Sequence, residues 1–306
     1  MFSTPIGAAR LFLATVITLV VLKVVVGLVT GSISIWAQLA DSSLDVFAAV
    51  MTFFTVSFSA KPADKEHPYG HGKVEDITAA IQGILLFAAA GSIIYASVRR
   101  IIFGEAIQLT EAGIAVMAVS MMASIFLSRH LFRVARATGS MALEANANNI
   151  TGDIYSTAGV MVGLIAVRIT GFTVIDPILA ILVAFLIIRM GIRVGRMAFG
   201  GLIDVRLPKS EEDELIAYIK KHANELVDFH DVRTRKSGNW RFIDLHLVMP
   251  KNASVEEAHR ICDHLERGIQ NKLHNSNVTI HVEPCRVECD QCLVVTCTMR
   301  ISPAKG

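Results

Sequence analysis

The run LFLATVITLVVLKVVVGLV, residues 11–29, decides the fold class, because it is apolar throughout except for one charge, Lys23. A helix needs about 20 mostly apolar residues to span the hydrocarbon core of a bilayer. Comparable runs follow along the chain, so we predict a bundle of six spanning helices. Their approximate ranges are 10–30, 34–59, 77–99, 110–132, 145–168 and 174–197. The link between the first two spans is very short, which predicts a helical hairpin.

The composition indicates a membrane protein with a smaller soluble part. The 306 residues are 53% hydrophobic and the mean hydropathy is +0.51, which is high for a soluble domain. Charged residues become frequent only after about residue 205. The net charge of +2 is too small to indicate a nucleic-acid partner. We predict a transmembrane domain over residues 1–204 and a cytoplasmic domain over residues 205–306.

Basic residues near the span ends indicate the orientation of the bundle. Cytoplasmic ends of membrane helices carry an excess of lysine and arginine. Such residues cluster in the second-to-third link, in the fourth-to-fifth link and at the end of the sixth span: Lys61, Lys65, Lys73, Arg129, Arg133, Arg136, Arg189, Arg193 and Arg196. The opposite side carries Arg99, Arg100 and Arg168, so the bias is clear but incomplete. We predict a multi-pass protein of the cell inner (plasma) membrane with both termini in the cytoplasm.

The polar carboxy-terminal part has the pattern of a small αββαβ domain. Two segments have helical periodicity, and Ser210 and Ser254 are suitable capping residues at their starts. A strand pair is predicted around Ser237 and Gly238, and a third strand follows the second helix. The segments in chain order are SEEDELIAYIKKHAN, FHDVRTRKSG, WRFIDLHLVM, SVEEAHRICDHLERGIQNKL and NVTIHVEPC. This order favours a ferredoxin-like α+β sandwich.

Two carboxylates stand in the second span, where ionisable side chains are costly. Asp41 and Asp45 are one helical turn apart and therefore share a face of the helix. Asn149 and Asp153 repeat this spacing in the fifth span. Four oxygen-bearing side chains from two helices suit a tetrahedral site for a divalent cation near the middle of the membrane. Helix-end caps or a buried hydrogen-bonded cluster are the structural alternatives.

The link after the second span, ADKEHPYGHGKVE, combines a carboxylate with two imidazoles. Asp64, His67 and His71 lie within eight residues, and such a trio can hold a divalent metal such as zinc. Pro68 and Gly70 indicate a shaped turn rather than a helix. The alternative is an ordinary solvated cytoplasmic loop.

Further histidines lie in the polar part: His230, His246, His259 and His281. His246 and His281 fall on predicted strands, and Glu283 shares a strand face with His281. Taken singly, each of these histidines is more often a surface or packing residue than a ligand.

All five cysteines also lie in the polar part, which fits a reducing cytoplasm rather than a disulfide framework. Cys289 and Cys292 form an isolated CxxC, which could bind a soft metal, form a reversible disulfide or have no role. Gly159 and Gly163 form a GxxxG pattern in the fifth span, which is typical of close helix packing but also arises by chance in helices rich in small residues.

In DSSLDVFAAV, HPYGHGKVE and NITGD the chain resembles the cation diffusion facilitator family, and most closely the bacterial ferrous-iron/zinc efflux antiporters. The likeness extends from TGSISI at residues 30–35 through HDVRTRKSG and RFIDLHL to Pro284 and Cys285. It implies six membrane helices, a cytoplasmic metallochaperone-like domain, a homodimer in the lipid bilayer, and exchange of metal for protons by alternating access.

The resemblance also implies roles for particular residues. The transport site would comprise Asp41, Asp45, Asn149 and Asp153, and the loop site Asp64, His67 and His71. A cytoplasmic binuclear site would use His230, His246, His259, His281 and Glu283. Lys73 would pair with Asp204 across the dimer.

Two positions depart from the family pattern. Asn149 stands where the family often has His or Asp, and Glu283 replaces the more usual Asp. The amide leaves an all-oxygen transport site, which suits harder ions such as manganese or ferrous iron better than a site with imidazole does.

The resulting prediction is a divalent metal cation/proton antiporter that exports transition metals from the cytoplasm. Its substrates would be drawn from zinc, ferrous iron, manganese and cadmium, with protons as the counter-ion. A metal-sensing membrane scaffold with little transport is the alternative. A membrane metalloenzyme ranks last, because the chain has no zinc-binding helix motif of the HExxH kind.

Overall fold

The computed structural model describes residues 4–30, 33–103, 111–172, 174–222 and 226–285. The chain divides into two compact units, Met1–Leu202 and Ile203–Gly306. The first unit contains six long helices in its described part. They are α1 (Pro5–Thr30), α2 (Ile33–Ser59), α3 (Lys73–Phe103), α4 (Glu111–Thr138), α5 (Met141–Thr170) and α6 (Ile175–Leu202).

Length and apolarity make most of these helices candidate membrane spans. Within the described residues, five segments are long and apolar enough to cross a membrane: Pro5–Val26, Lys73–Phe103, Ile114–Thr138, Met141–Val167 and Ile175–Leu202. The described side chains of α2 add a shorter apolar helix, Asp45–Ser59. The chain is therefore a multi-pass membrane protein, and the predicted α-helical membrane fold class is confirmed.

Several helices extend beyond the spans predicted from hydropathy. Helix α3 begins at Lys73 and α5 at Met141, each about one turn before the apolar run. Polar residues at these starts are buried rather than exposed, as Glu75 shows with 3% exposure. Glu75 accepts hydrogen bonds from Ser59 Oγ at 2.8 Å and Ser140 Oγ at 2.7 Å. Hydropathy misses these turns because the buried polar groups satisfy one another.

The ends of α5 have recognisable caps. Ser140 is the N-cap residue, and its Oγ accepts a hydrogen bond of 3.5 Å from the backbone N–H of Leu143. Gly171 ends the helix with a φ of 72°, the left-handed conformation that glycine adopts at little cost. Its N–H bonds to the carbonyl of Val167. These caps fix the length of the helix that carries Asn149 and Asp153.

Small residues bring α5 close to α6. A Cβ atom added at Gly159 would lie 2.7 Å from Val183 Cγ2, closer than real Cβ contacts. A Cβ at Gly163 would overlap Asp176 at the start of α6. The GxxxG pattern therefore faces a packed helix interface, as small-residue motifs in membrane helices commonly do.

The second unit has the predicted αββαβ order. Its elements are α7 (Lys209–Lys221), β1 (Asp228–Ser237), β2 (Trp240–Met249), α8 (Val255–Lys272) and β3 (Ser276–Pro284). Strand β2 lies in the middle of the sheet, antiparallel to β1 and parallel to β3. Leu215 of α7, Leu245 of β2 and Leu265 of α8 are each about 1% exposed and belong to one core.

One of the two predicted helix caps in this unit is wrong. Ser254 caps α8, where its Oγ accepts a 3.0 Å hydrogen bond from the N–H of Glu257. Ser210, by contrast, lies inside α7, because the helix begins at Lys209 with Pro208 as its N-cap residue. The Pro208 carbonyl accepts from the N–H groups of Glu211 and Glu212 and so starts the helix without a side-chain cap.

Candidate metal centres

A cavity of about 90 Å³ in the helix bundle is lined by two of the predicted transport residues, Asp45 of α2 and Asp153 of α5. It has room for a few water molecules. The other lining residues are Phe12, Val16, Leu19, Lys23, Ser42, Ser120, Met121, Ser124, Leu127, Ile150, Ile154 and Thr157. Two carboxylates and several hydroxyls thus line one small cavity with otherwise largely apolar walls.

The structure gives less support to the other two residues of the predicted transport site. Asn149 is partly buried on α5, one turn before Asp153, and it is not among the residues that line the cavity. Asp41 belongs to α2, but its side chain lies outside the described part of the structure. Of the four predicted ligands, Asp45 and Asp153 therefore line one cavity, and the roles of Asp41 and Asn149 stay predictions.

Lys23 is a cavity residue that the ligand assignment did not include. Its Nζ donates a hydrogen bond of 2.5 Å to Ser42 Oγ, three residues before Asp45 on α2. Lys23 and Asp45 therefore line the same cavity from neighbouring helices. The sequence contained the signal, since Lys23 is the one charge within the apolar run 11–29. An ammonium group beside two carboxylates changes the charge that an entering cation meets.

The loop between α2 and α3 brings Asp64, His67 and His71 together. One ligand atom from each lies within 4.8 Å of the others. Asp64 Oδ1 is 3.3 Å from His67 Nδ1, and Asp64 Oδ2 is 3.3 Å from His71 Nε2. One carboxylate and two imidazoles at such distances are a donor set that suits zinc and related ions.

Local backbone geometry shapes this loop. The N–H groups of His67 and Glu66 donate to Asp64 Oδ1 at 2.7 and 3.0 Å. The hydrogen bond from the His67 N–H is the main reason that the pKa of Asp64 lies below its usual value. Gly70 allows the turn between the two histidines with a φ of 80°. The backbone of the loop therefore favours the ionised form of the Asp64 carboxylate, which is the form that binds cations.

The sheet of the second unit aligns three histidines. His230 pairs with His246 across β1 and β2, and His246 pairs with His281 across β2 and β3. Directly paired residues point to the same face of a sheet, as does Glu283, two residues after His281. His246 Nδ1 is 3.0 Å from Glu283 Oε1, and His230 Nε2 is 3.6 Å from Glu283 Oε2.

These contacts form a second compact donor set. One ligand atom each from His230, His246 and Glu283 lies within 4.8 Å of the others. His281 stands at the margin, with its Nε2 3.9 Å from Glu283 Oε1. His259 instead contacts Asp263, one turn further along α8, at 3.9 Å. Its predicted place in a binuclear site stays a prediction.

The remaining sequence predictions concern a charge pair and the tail. Lys73 Nζ donates to the Leu202 carbonyl at 3.4 Å, and Asp204 Oδ1 lies 3.3 Å from Arg235 Nη1. The predicted pairing of Lys73 with Asp204 involves a second copy of the chain and stays a prediction. Cys289 and Cys292 lie outside the described residues.

Long apolar helices, a carboxylate-lined cavity between them and two His/carboxylate donor sets are features expected of a membrane protein that binds cations. The chain matches the cation efflux transmembrane domain over residues 9–203 and the cytoplasmic domain of cation efflux proteins over residues 207–285. It therefore belongs to the cation efflux family, the cation diffusion facilitators.

The two relatives that match most of the chain support this assignment. The cation-efflux pump FieF of Yersinia pestis is 31% identical over 269 residues, which cover 88% of this chain and 89% of FieF. The uncharacterized transporter sll1263 of Synechocystis is 28% identical over 256 residues, covering 84% and 83%. Two solved CzrB structures, the second in a zinc form, are 38% identical over 26% of this chain and 98% and 90% of theirs, with TM-scores of 0.25.

Family membership makes this chain a metal-cation efflux transporter rather than an enzyme, and divalent metal ions are its class of substrate. The predicted family, fold class and transport role are confirmed at this level.

Proposed function

We propose that the protein is a divalent metal cation/proton antiporter that exports transition metals from the cytoplasm. The observation that carries the proposal is that Asp45 and Asp153, predicted from matched spacings on two helices, line one cavity. Two carboxylates can bind either one divalent ion or protons, because both neutralise the negative charge in the cavity. This competition is the physical basis of an exchange.

The direction of transport follows from the proton gradient. Protons that enter from outside neutralise Asp45 and Asp153, lower the affinity for metal and so release the ion outside. When these protons leave towards the cytoplasm, the carboxylates regain their charge and bind the next ion. Asp41 and Asn149 complete the proposed donor set, and the absence of an imidazole from it favours manganese or ferrous iron relative to zinc and cadmium.

The two His/carboxylate donor sets outside the membrane cavity have proposed roles as well. Asp64, His67 and His71 form a loop metal site. The histidine row, which consists of His230, His246 and His281, forms a cytoplasmic site together with Glu283. This site binds metal and tightens a homodimer, with His259 as a further predicted ligand. The match to the cytoplasmic domain of cation efflux proteins supports this arrangement. We place the protein in the cell inner membrane with both termini in the cytoplasm, as the basic residues at the span ends favour.

The decisive experiment measures metal and proton movements together. We expect inverted vesicles with the wild-type protein to take up metal and to release protons in a metal-dependent way. Asp45→Ala and Asp153→Ala each remove a charged ligand and should abolish both fluxes. Ser120→Ala changes an uncharged lining residue of the same cavity and is the matched control.

The second candidate function is a metal-sensing scaffold with little transport. The two donor sets outside the membrane cavity favour it, because they could report metal without moving it. On that view, the wild-type protein would bind metal in vesicles yet produce no metal-dependent proton flux. Normal transport by both aspartate variants would contradict the assigned transport site.

A further inference from the structure

A cluster of buried polar side chains lies between α2, α3 and α5, apart from the candidate metal centres. Gln82 Nε2 and Asn146 Nδ2 both donate to Thr52 Oγ1, at 2.9 and 2.8 Å. All three residues are 0% exposed. Gln82 Oε1 and Asn146 Oδ1 have no hydrogen-bond partner among the described residues. The cluster therefore contains two strong oxygen acceptors that the described protein leaves unsatisfied.

The cluster stands two helical turns from the transport carboxylates. Thr52 follows Asp45 by seven residues on α2, and Asn146 precedes Asp153 by seven residues on α5. At 1.5 Å per residue, each offset is about 10 Å along its helix. In two antiparallel helices, a residue seven positions later on one helix and a residue seven positions earlier on the other shift in the same direction. If Asp45 and Asp153 lie at the same height, Thr52 and Asn146 therefore do so as well. Both offsets lead towards the end of the bundle that carries the loop between α2 and α3.

Buried polar groups continue from the cluster to that end. The Thr55 and Thr78 hydroxyls form a hydrogen bond of 2.6 Å between α2 and α3. Beyond them, Ser59 and Ser140 donate to the Glu75 carboxylate at 2.8 and 2.7 Å. Each of these side chains is buried. A column of oxygen-bearing groups thus extends from the level of the cluster to the loop end of the bundle.

We propose that the carbonyl oxygens of Gln82 and Asn146, whose amides are held by hydrogen bonds to Thr52, form a second binding site for the transported divalent cation, a waypoint between the loop end and the carboxylates. This inference rests on the proposed transport function. Amide oxygens are hard, neutral ligands that replace part of the hydration shell of an ion. Sites along a conduction path must bind well enough for entry and weakly enough for exit. Neutral oxygens meet both requirements, whereas another carboxylate would compete with the transport site.

A role in helix packing alone explains the cluster less well. The Thr55–Thr78 pair shows that α2 and α3 can join through buried hydroxyls with neither oxygen left without a partner. Leucine would fill the space of Gln82 or Asn146 without burying an unsatisfied acceptor. The amides therefore reduce stability relative to an apolar cluster, and a passing cation is the group of suitable chemistry that would satisfy them.

The test compares entry of Mn²⁺ from the two faces of the membrane. Gln82→Leu and Asn146→Leu remove the unsatisfied oxygens at similar volume. Ser128→Ala, which removes a buried hydroxyl of α4 that contacts α5 outside this column, is the control. In inverted vesicles, which present the loop end to added Mn²⁺, we expect each leucine variant to raise the KM at least fivefold. In right-side-out vesicles the KM should change less than twofold. The melting temperature of the purified protein should not fall, and the control should keep both KM values within twofold of wild type.

A second variant tests the same site by a change that should lower the KM rather than raise it. Gln82→Glu adds a negative charge to the waypoint, so the KM from the loop end should fall and the maximal rate should fall with it, because release becomes slower. A wild-type KM in both leucine variants, or equal changes at the two faces, would overturn the waypoint. If the wild-type protein moves no metal at all, the proposed transport function fails first and the waypoint fails with it.

Discussion

Lys23 of α1 donates a 2.5 Å hydrogen bond to Ser42 of α2, inside the cavity that Asp45 and Asp153 line. A lysine in the membrane interior is costly unless nearby groups compensate its charge. The two carboxylates that line the same cavity are groups of the opposite charge that can supply that compensation. The lysine, in turn, lowers the net negative charge that an entering metal ion meets.

The first prediction concerns this lysine. Lys23→Met removes a positive charge from the cavity, so the affinity for a divalent ion should rise by roughly tenfold. Binding of Mn²⁺ to the purified full-length protein measures the change. Lys23→Arg keeps the charge and should stay near wild type. Equal losses of affinity in both variants would show that the lysine acts through packing.

The second prediction concerns Asn149. Asn149→His replaces a weak neutral oxygen ligand with a better nitrogen donor for zinc. We expect zinc and cadmium transport to rise relative to manganese and iron, and transport to become more dependent on pH between about 6 and 7.5. Initial rates for the four ions at two pH values provide the measurement. An unchanged ratio of zinc to manganese would mean that Asn149 does not tune the choice of metal.

The third prediction concerns the cytoplasmic unit. His246 is the middle member of the histidine row and contacts Glu283 at 3.0 Å. His246→Ala in the full-length protein should lower the metal bound per subunit and weaken dimer association while leaving some transport. Metal analysis and sedimentation with and without metal measure both effects. His264→Ala, which changes a histidine that contacts His222 instead, is the control and should alter neither.

The fourth prediction concerns the contact between α5 and α6. Gly163→Val places side-chain atoms where Asp176 now lies, and such overpacking costs about 1–3 kcal/mol. We expect a lower melting temperature and a lower yield of folded protein. Gly91→Ala is the control, because a Cβ atom there meets no heavy atom within 4 Å. A variant at Gly163 as stable as this control would contradict the packing.

Sequence reasoning reached most of the fold, because hydropathy and strand alternation depend on local composition. The strand pair around Gly238 and the cap at Ser254 followed from short-range chemistry. The start of α3 did not, because Glu75 is buried by partners from α2 and from the residue that caps α5, and their contact depends on packing. The cluster at Thr52 escaped notice for the same reason.

The candidate sites divide in a similar way. Asp64, His67 and His71 are close in the chain, so their convergence needed only a turn. The alignment of His230, His246 and His281 needed the strand register, which periodicity alone does not fix. His259 was assigned to the site by resemblance to a family. In this chain its contact is with Asp263, so the resemblance and the geometry of the single chain give different partners for it.

The histidine row has a consequence for how the cytoplasmic unit folds. Its members come from three strands and are 16 and 35 residues apart in the chain, so their donor atoms converge only after the whole sheet has formed. An ion held there would favour the folded unit over the unfolded chain by mass action, in proportion to the logarithm of its free concentration. When metal is scarce, the same unit would open more often and expose its chain to proteases. The free metal concentration in the cell would then determine how long the transporter survives as well as how much metal it carries.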